Sequence, residues 1–165
     1  DKGYMETGVI YRHRQVGWAI IIILGLLMAA IAVITALMAA RLEQEGAGTV
    51  VMALSGLFIL LAAIMACFCT LTVQIRDGKL TLWFGPGLIR KSLNLSAIES
   101  AREVTNKWWY GLGIHITPFG WLYNVSGLQA VEIHTWSGTS IRLGTDEPEA
   151  LCRAIEHART INPIE

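Results

Sequence analysis

Four histidines and three cysteines are the side chains of this chain best suited to metal binding or nucleophilic attack. His13, His115, His134 and His157 are scattered, and no Cys, Asp or Glu stands at metal-ligand spacing around them. Cys67 and Cys69 are two residues apart, which on a helix turns them to nearly opposite faces, and Cys152 stands alone. All three read as small buried residues. No Ser, His and acid set is suggested, although such sets assemble in space. Gly85-Pro86-Gly87 and Gly111-Leu112-Gly113 are not followed by a helical pattern, so they read as turns and not as phosphate loops. Asn124-Val125-Ser126 matches a glycosylation sequon by coincidence inside a hairpin. No enzyme activity, metal or cofactor is expected from these residues.

What remains is aromatic and basic. Lys107-Trp108-Trp109-Tyr110 precedes Gly111 and Gly113, and with Trp121 three of the six tryptophans fall within fourteen residues. Tryptophan and tyrosine can hydrogen-bond at the level of lipid headgroups, with Lys107 and the pair Arg90-Lys91 meeting anionic phosphate. The competing reading, which carries more weight, places the tryptophans in the core and uses Gly111 and Gly113 for a sharp corner or bulge. Neighbouring residues of a strand point to opposite faces, so one of Trp108 and Trp109 is expected to be buried and the other free for lipid or a partner.

The elements that must position these residues follow from the charge pattern. The chain is 53% hydrophobic and 16% charged, and no charged residue occurs between Arg14 and Arg41 or between Glu45 and Arg76. The run from Val16 to Ala40 would reach about 37 Å as a helix, enough to cross a bilayer with some tilt. Two transmembrane helices are expected, over about 16–40 and 49–71, joined by a short outside loop, 41–48. Residues 1–15 form an N-terminal cytoplasmic segment, in which Asp1-Lys2-Gly3-Tyr4 ahead of Met5 reads as a possible tag remnant. Lys2, Arg12 and Arg14 precede the first span, and Arg76, Lys79, Arg90 and Lys91 follow the second. The connecting loop carries one Arg against two Glu, so both termini are expected in the cytoplasm and the protein in the cell (inner) membrane. Neither span contains an ionisable side chain, which argues against an ion path. Gly25, Ala29, Ala32 and Ala36 in the first span, and Gly56 and Ala63 in the second, offer small-residue seams. Such seams serve packing of the hairpin itself or the joining of protomers.

Beyond Leu71 the pattern alternates. Leu71, Val73 and Ile75 face one way before an Asp77-Gly78 turn, and Leu80, Leu82 and Phe84 follow it. Further short strands lead through Ser137-Gly138 to one amphipathic helix, with Thr145 or Asp146 as its cap, Pro148 in its first turn and a stripe of Leu151, Ile155 and Ala158. Seven or eight antiparallel strands and this helix would make one domain over 72–165. Its nine basic and nine acidic residues cancel, and no nucleic-acid partner is expected.

A strand run with a C-terminal helix is the pleckstrin-homology-like (PH-like) plan. The stretches "NKWWYGLGIHI", "GWLYNVSG" and "GTDEPEAL" resemble small bacterial membrane proteins that carry such a domain behind two transmembrane helices. The resemblance covers essentially Val16 to Ile155. It implies an α+β membrane protein, in which an N-terminal transmembrane helical hairpin precedes a strongly bent antiparallel β-sheet or barrel capped by a C-terminal α-helix. It implies no established chemistry. Phosphoinositide-binding members of the wider superfamily use basic residues on a roomy first hairpin loop. The tight Arg76-Asp77-Gly78-Lys79 turn leaves no such cradle, so specific phosphoinositide binding is not expected. Three functions stay open. The first is a non-catalytic, membrane-anchored scaffold that binds a membrane-protein partner or itself as a homo-oligomer. The second is a lipid-interacting or membrane-sensing domain, and the third an accessory subunit of a transporter or channel.

Overall fold

A computed structural model describes residues 8–41 and 46–161. The Asp1–Tyr4 segment, the centre of the expected outside loop and the last four residues lie outside the described residues. Strand β1 (Val9–Val16) leads into helix α1 (Trp18–Ala39), which is followed by helix α2 (Ala47–Phe68). Strands β2 (Thr70–Arg76), β3 (Lys79–Phe84), β4 (Ile89–Asn94), β5 (Ile98–Thr105), β6 (Gly113–Thr117), β7 (Gly120–Asn124), β8 (Gln129–Thr135) and β9 (Ser140–Gly144) come next, and helix α3 (Pro148–Ile161) ends the chain.

Both α1 and α2 are long and apolar enough to cross a membrane, and almost none of either is buried by the rest of the protein. They pack on each other through large side chains. Leu24, Met28, Ile31, Thr35 and Met38 of α1 are the less exposed positions, as are Val51, Leu54, Phe58, Leu61 and Met65 of α2, each set recurring at three- and four-residue steps. Ala29, Ala32, Ala36, Gly56 and Ala63 are exposed. A Cβ added at Gly25 or Gly56 would meet nothing. The small residues therefore lie on outward flanks, and branched and long side chains fill the seam between the helices.

The strands form two sheets, ordered β1-β2-β3-β4 and β5-β8-β9-β7-β6, and no barrel closes. This corrects the expected single bent sheet or barrel. A 3₁₀ turn over Leu95–Ala97 redirects the chain, so that β5 pairs with β8 rather than β4. Leu95 N–H donates to Gly78 O and Trp136 N–H to Ala97 O, which ties the turn to both sheets. One pair is parallel, β7 beside β9, against the expected all-antiparallel order. The strand β1 was not expected either. It pairs antiparallel with β2 from Val9↔Arg76 to Val16↔Thr70, so the segment ahead of the helices belongs to the first sheet. The Asp77-Gly78 turn forms as expected, with both residues at positive φ, the geometry a two-residue hairpin requires.

The core lies between the sheets and under α3. Leu71, Val73, Ile75, Leu80, Leu82 and Phe84 meet Ile133, Ile141 and Leu143, and Leu151, Ile155 and Ala158 of α3 close the layer. Full burial of an aliphatic or aromatic side chain contributes about 1.5–3 kcal/mol, so this layer dominates the stability of the sheet domain. Glu147 N–H donates to Thr145 Oγ1 at 3.1 Å, just ahead of Pro148 in the first helical position.

Candidate functional site

The register of the ladders sorts every loop to one of two ends. Val16, Thr70, Phe84 and Ile89 lie at the end from which the helices leave, and so do Thr105, Gly113, Asn124 and Gln129. Gly17 N–H donates to Cys69 O at 2.7 Å and packs against Val125, which brings the second sheet to the same end. The Asp77-Gly78, Pro118-Phe119 and Ser137-Gly138 turns lie at the far end.

The aromatic stretch belongs to the helix-side end. In the second sheet β5 and β6 occupy opposite edges, so their connection must travel about 19 Å across three intervening strands. Residues 106–112 make this crossing. It starts at Asn106, whose N–H donates to Leu128 O at 2.7 Å, and ends at Gly113, paired with Asn124. A crossing segment cannot join a ladder, and Trp108–Tyr110 coil into a 3₁₀ turn that ends at Gly111 with φ 72°. The strand geometry expected for the two tryptophans therefore does not apply. Both are exposed, Trp108 at 76% and Trp109 at 60%. Their rings meet edge to face at 5.8 Å, Tyr110 stands edge-on to Trp109 at 6.3 Å, and Lys107 Nζ lies 4.9 Å from the Trp109 ring centre. Trp18 at the start of α1, Leu88 in the β3–β4 turn and Leu128 in the β7–β8 loop are exposed at this same end, Leu88 at 78%. Sequence reasoning missed Leu88 and Leu128, because only the strand order shows which loops lie together.

Arg90 and Lys91 are neighbours on β4 and so occupy opposite faces. Arg90 pairs in register with Trp83 and its guanidinium lies 5.3 Å from that ring, on the outer face of the first sheet. Lys91 pairs with Leu82 on the other face. The structure records no contact between either of them and the Trp108–Trp109 turn. Arg12, Arg14 and Arg76 share the outer face with Arg90, and Asp77 at its far rim is engaged by Arg76 Nε at 2.9 Å.

The second sheet holds a charged network that the sequence did not disclose. Glu132 on β8 is buried between Arg102 of β5 and Arg142 of β9, its register partners on either side. Its carboxylate accepts hydrogen bonds from Arg102 Nε at 3.0 Å, from Arg142 Nε at 2.6 Å and from His134 Nε2 at 2.8 Å. Arg142 also donates to Asn106 Oδ1 at 3.3 Å and lies 4.1 Å from the Phe119 ring centre. Burial alone would raise the Glu132 pKa, but the bonds from Arg102, Arg142 and His134 outweigh it and hold the carboxyl at about 2. Three saturated donors around one ionised acceptor leave it no free role in proton transfer. The network anchors the start of the crossing segment through Asn106.

Of the remaining candidates, His13 contacts Asp146 at 2.6 Å and Glu147 at 3.4 Å, and His115 contacts Leu112 O at 2.5 Å. Among the described residues no three His, Cys, Asp or Glu side chains gather as metal ligands. Cys67, Cys69 and Cys152 are free and half-buried. Burial, with the charges of Glu103 and Glu156, pushes the Cys152 thiol up to about 11, which keeps it protonated and unreactive. Asn124 of the sequon is buried, and its amide ties the turn to Ser126 N and Gly127 O. No known protein family matches the chain, and no characterised protein matches it in sequence.

Proposed function

We propose that this chain is a non-catalytic membrane protein in which α1 and α2 cross the bilayer and the helix-side rim of a PH-like sheet domain rests in the lipid headgroup layer. One observation carries the reading: Trp18, Leu88, Trp108, Trp109 and Leu128, exposed apolar residues from four separate segments, gather at the end from which two long apolar helices depart. Tryptophan beside lysine is the composition that suits a membrane–water boundary. The direct pairing of β1 with β2 supports a topology in which the segments flanking the helices share one side of the membrane. The excess of Lys and Arg in those segments favours the cytoplasm as that side. This favours the lipid-interacting reading over a scaffold alone.

The test uses the full chain in vesicles containing lipids brominated near the headgroup. Tryptophan fluorescence should be quenched, and the quenched fraction should fall when Trp108→Ala and Trp109→Ala are combined. Equal quenching in the parent and the double variant would show that the turn stands clear of the lipid and would defeat this reading.

A scaffold or self-assembly role is the second reading. The outward small-residue flank of α1 favours it, since Gly25, Ala29, Ala32 and Ala36 let a second helix approach closely. Mass measurement in mild detergent checks it: a monomer at all concentrations would remove the self-assembly version.

A further inference from the structure

An open cleft of about 550 Å³ lies where β1 enters α1, bounded by Arg14, Gln15 and Trp18 on one side and by Leu128, Thr145 and Asp146 on the other. Its polar groups are of two kinds. Arg14 is exposed and forms no ion pair among the described residues. Asp146 supplies an acceptor. The Asp146 carboxylate is more than half exposed and gives one oxygen to His13. Gln15 is only 5% exposed; its amide N–H donates to Ser126 O at 3.1 Å, and its Oε1 has no hydrogen-bond partner. Below the cleft, Trp18, Ile22, Gly25 and Leu26 follow at steps of four, three and one along α1. Trp18, Ile22 and Leu26 are exposed, and nothing stands over Gly25. An apolar track therefore continues from the polar mouth down the helix.

The geometry points to a bound aminophospholipid. This rests on the membrane reading above, and it names the lipid. The phosphodiester pairs with the Arg14 guanidinium, the headgroup ammonium donates to the exposed Asp146 carboxylate, and an acyl chain lies on the Trp18–Ile22–Gly25 track. A headgroup with phosphate but no amine would face the Asp146 carboxylate without compensation. The cleft thus selects a zwitterionic amine headgroup over a purely anionic one, although the domain carries Arg14 at its mouth.

The experiment takes the full chain in mild detergent and measures retained lipid by native mass spectrometry after adding phosphatidylethanolamine or phosphatidylglycerol with the same acyl chains. Phosphatidylethanolamine should be retained preferentially. Arg14→Gln should weaken that retention about tenfold, the scale of one charge-assisted hydrogen bond, and Asp146→Asn should erase the preference between the two lipids. Arg14 is exposed and outside the core, so its variant should keep the parent melting temperature and remains informative if Asp146→Asn disturbs the start of α3. Equal retention of both lipids by the parent, unchanged in Arg14→Gln, would overturn the site and leave only annular lipid. Soluble phosphoethanolamine competing as well as the whole lipid would overturn the acyl track. Release of the chain from membranes by alkaline carbonate would overturn the membrane reading itself, an outcome distinct from the other two.

Discussion

Glu132→Leu should destabilise the sheet domain by about 3–5 kcal/mol, the scale for removing one member of a buried ion pair while its partner stays behind. Arg142 is the reason: its side chain is nearly as buried as that of Glu132, and without the carboxylate its guanidinium keeps only Asn106 and the Phe119 ring. The double variant Glu132→Leu/Arg142→Leu should recover much of the loss, because it removes the stranded charge as well. Melting followed by near-ultraviolet circular dichroism in detergent provides the measurement, and a double variant no better than the single one would count against the ion-pair account. The same network sets an acid limit. The folded-state pKa of Glu132, about 2, lies below its ordinary 4.5, so its contribution is complete above pH 4.5 and disappears as pH falls through about 2. That gap corresponds to about 3 kcal/mol. Melting temperature should accordingly fall across this window in the parent and change less in the double variant.

Gly85→Ala should also be severe, at about 2–4 kcal/mol, and for a different reason. Gly85 has φ 46° and hydrogen-bonds through its N–H to Thr70 O at 2.9 Å. A Cβ there would collide with the backbone oxygen of Ala66 and come within 2.8 Å of that of Cys67. These atoms belong to the last turn of α2, so relief requires parting the β3–β4 turn from the helix and breaking the edge contact of Phe68 with Phe84. Gly127→Ala is the control. Gly127 also has positive φ, at 74°, but its Cβ would enter open space, so this variant reports backbone strain alone, about 1 kcal/mol. Equal losses in the two variants would show that contact with α2 contributes nothing.

The legible parts of this fold are those whose signal is local. The two apolar runs place α1 and α2 to within a few residues, though the second ends at Phe68 and gives Leu71 to a strand. Asp77-Gly78 fixes its hairpin, and Leu151, Ile155 and Ala158 mark the buried stripe of α3. β1 was not legible because its inward side carries Tyr11, His13 and Gln15, and its outward side Arg12 and Arg14. Neither side looks apolar, so no period of two appears. Glu132 and Arg142 sit where alternation points away from the core. The pattern cannot reveal that Asn106 and Phe119 cover that face. The two tryptophans were misjudged because a crossing between distant edges depends on strand order, which no window of sequence contains.

The pairing of Val16 with Thr70, extended by the hydrogen bond from Gly17 to Cys69, makes the whole helix pair an insertion at the tip of one β-hairpin. A fragment cut after Leu71 would discard β1 and bare the edge of β2. Excision of residues 17–69 and their replacement by a two-residue Asn-Gly turn would instead leave every ladder intact. The sheet domain is in this sense a circuit closed without the bilayer, and a water-soluble version of it is one short splice away.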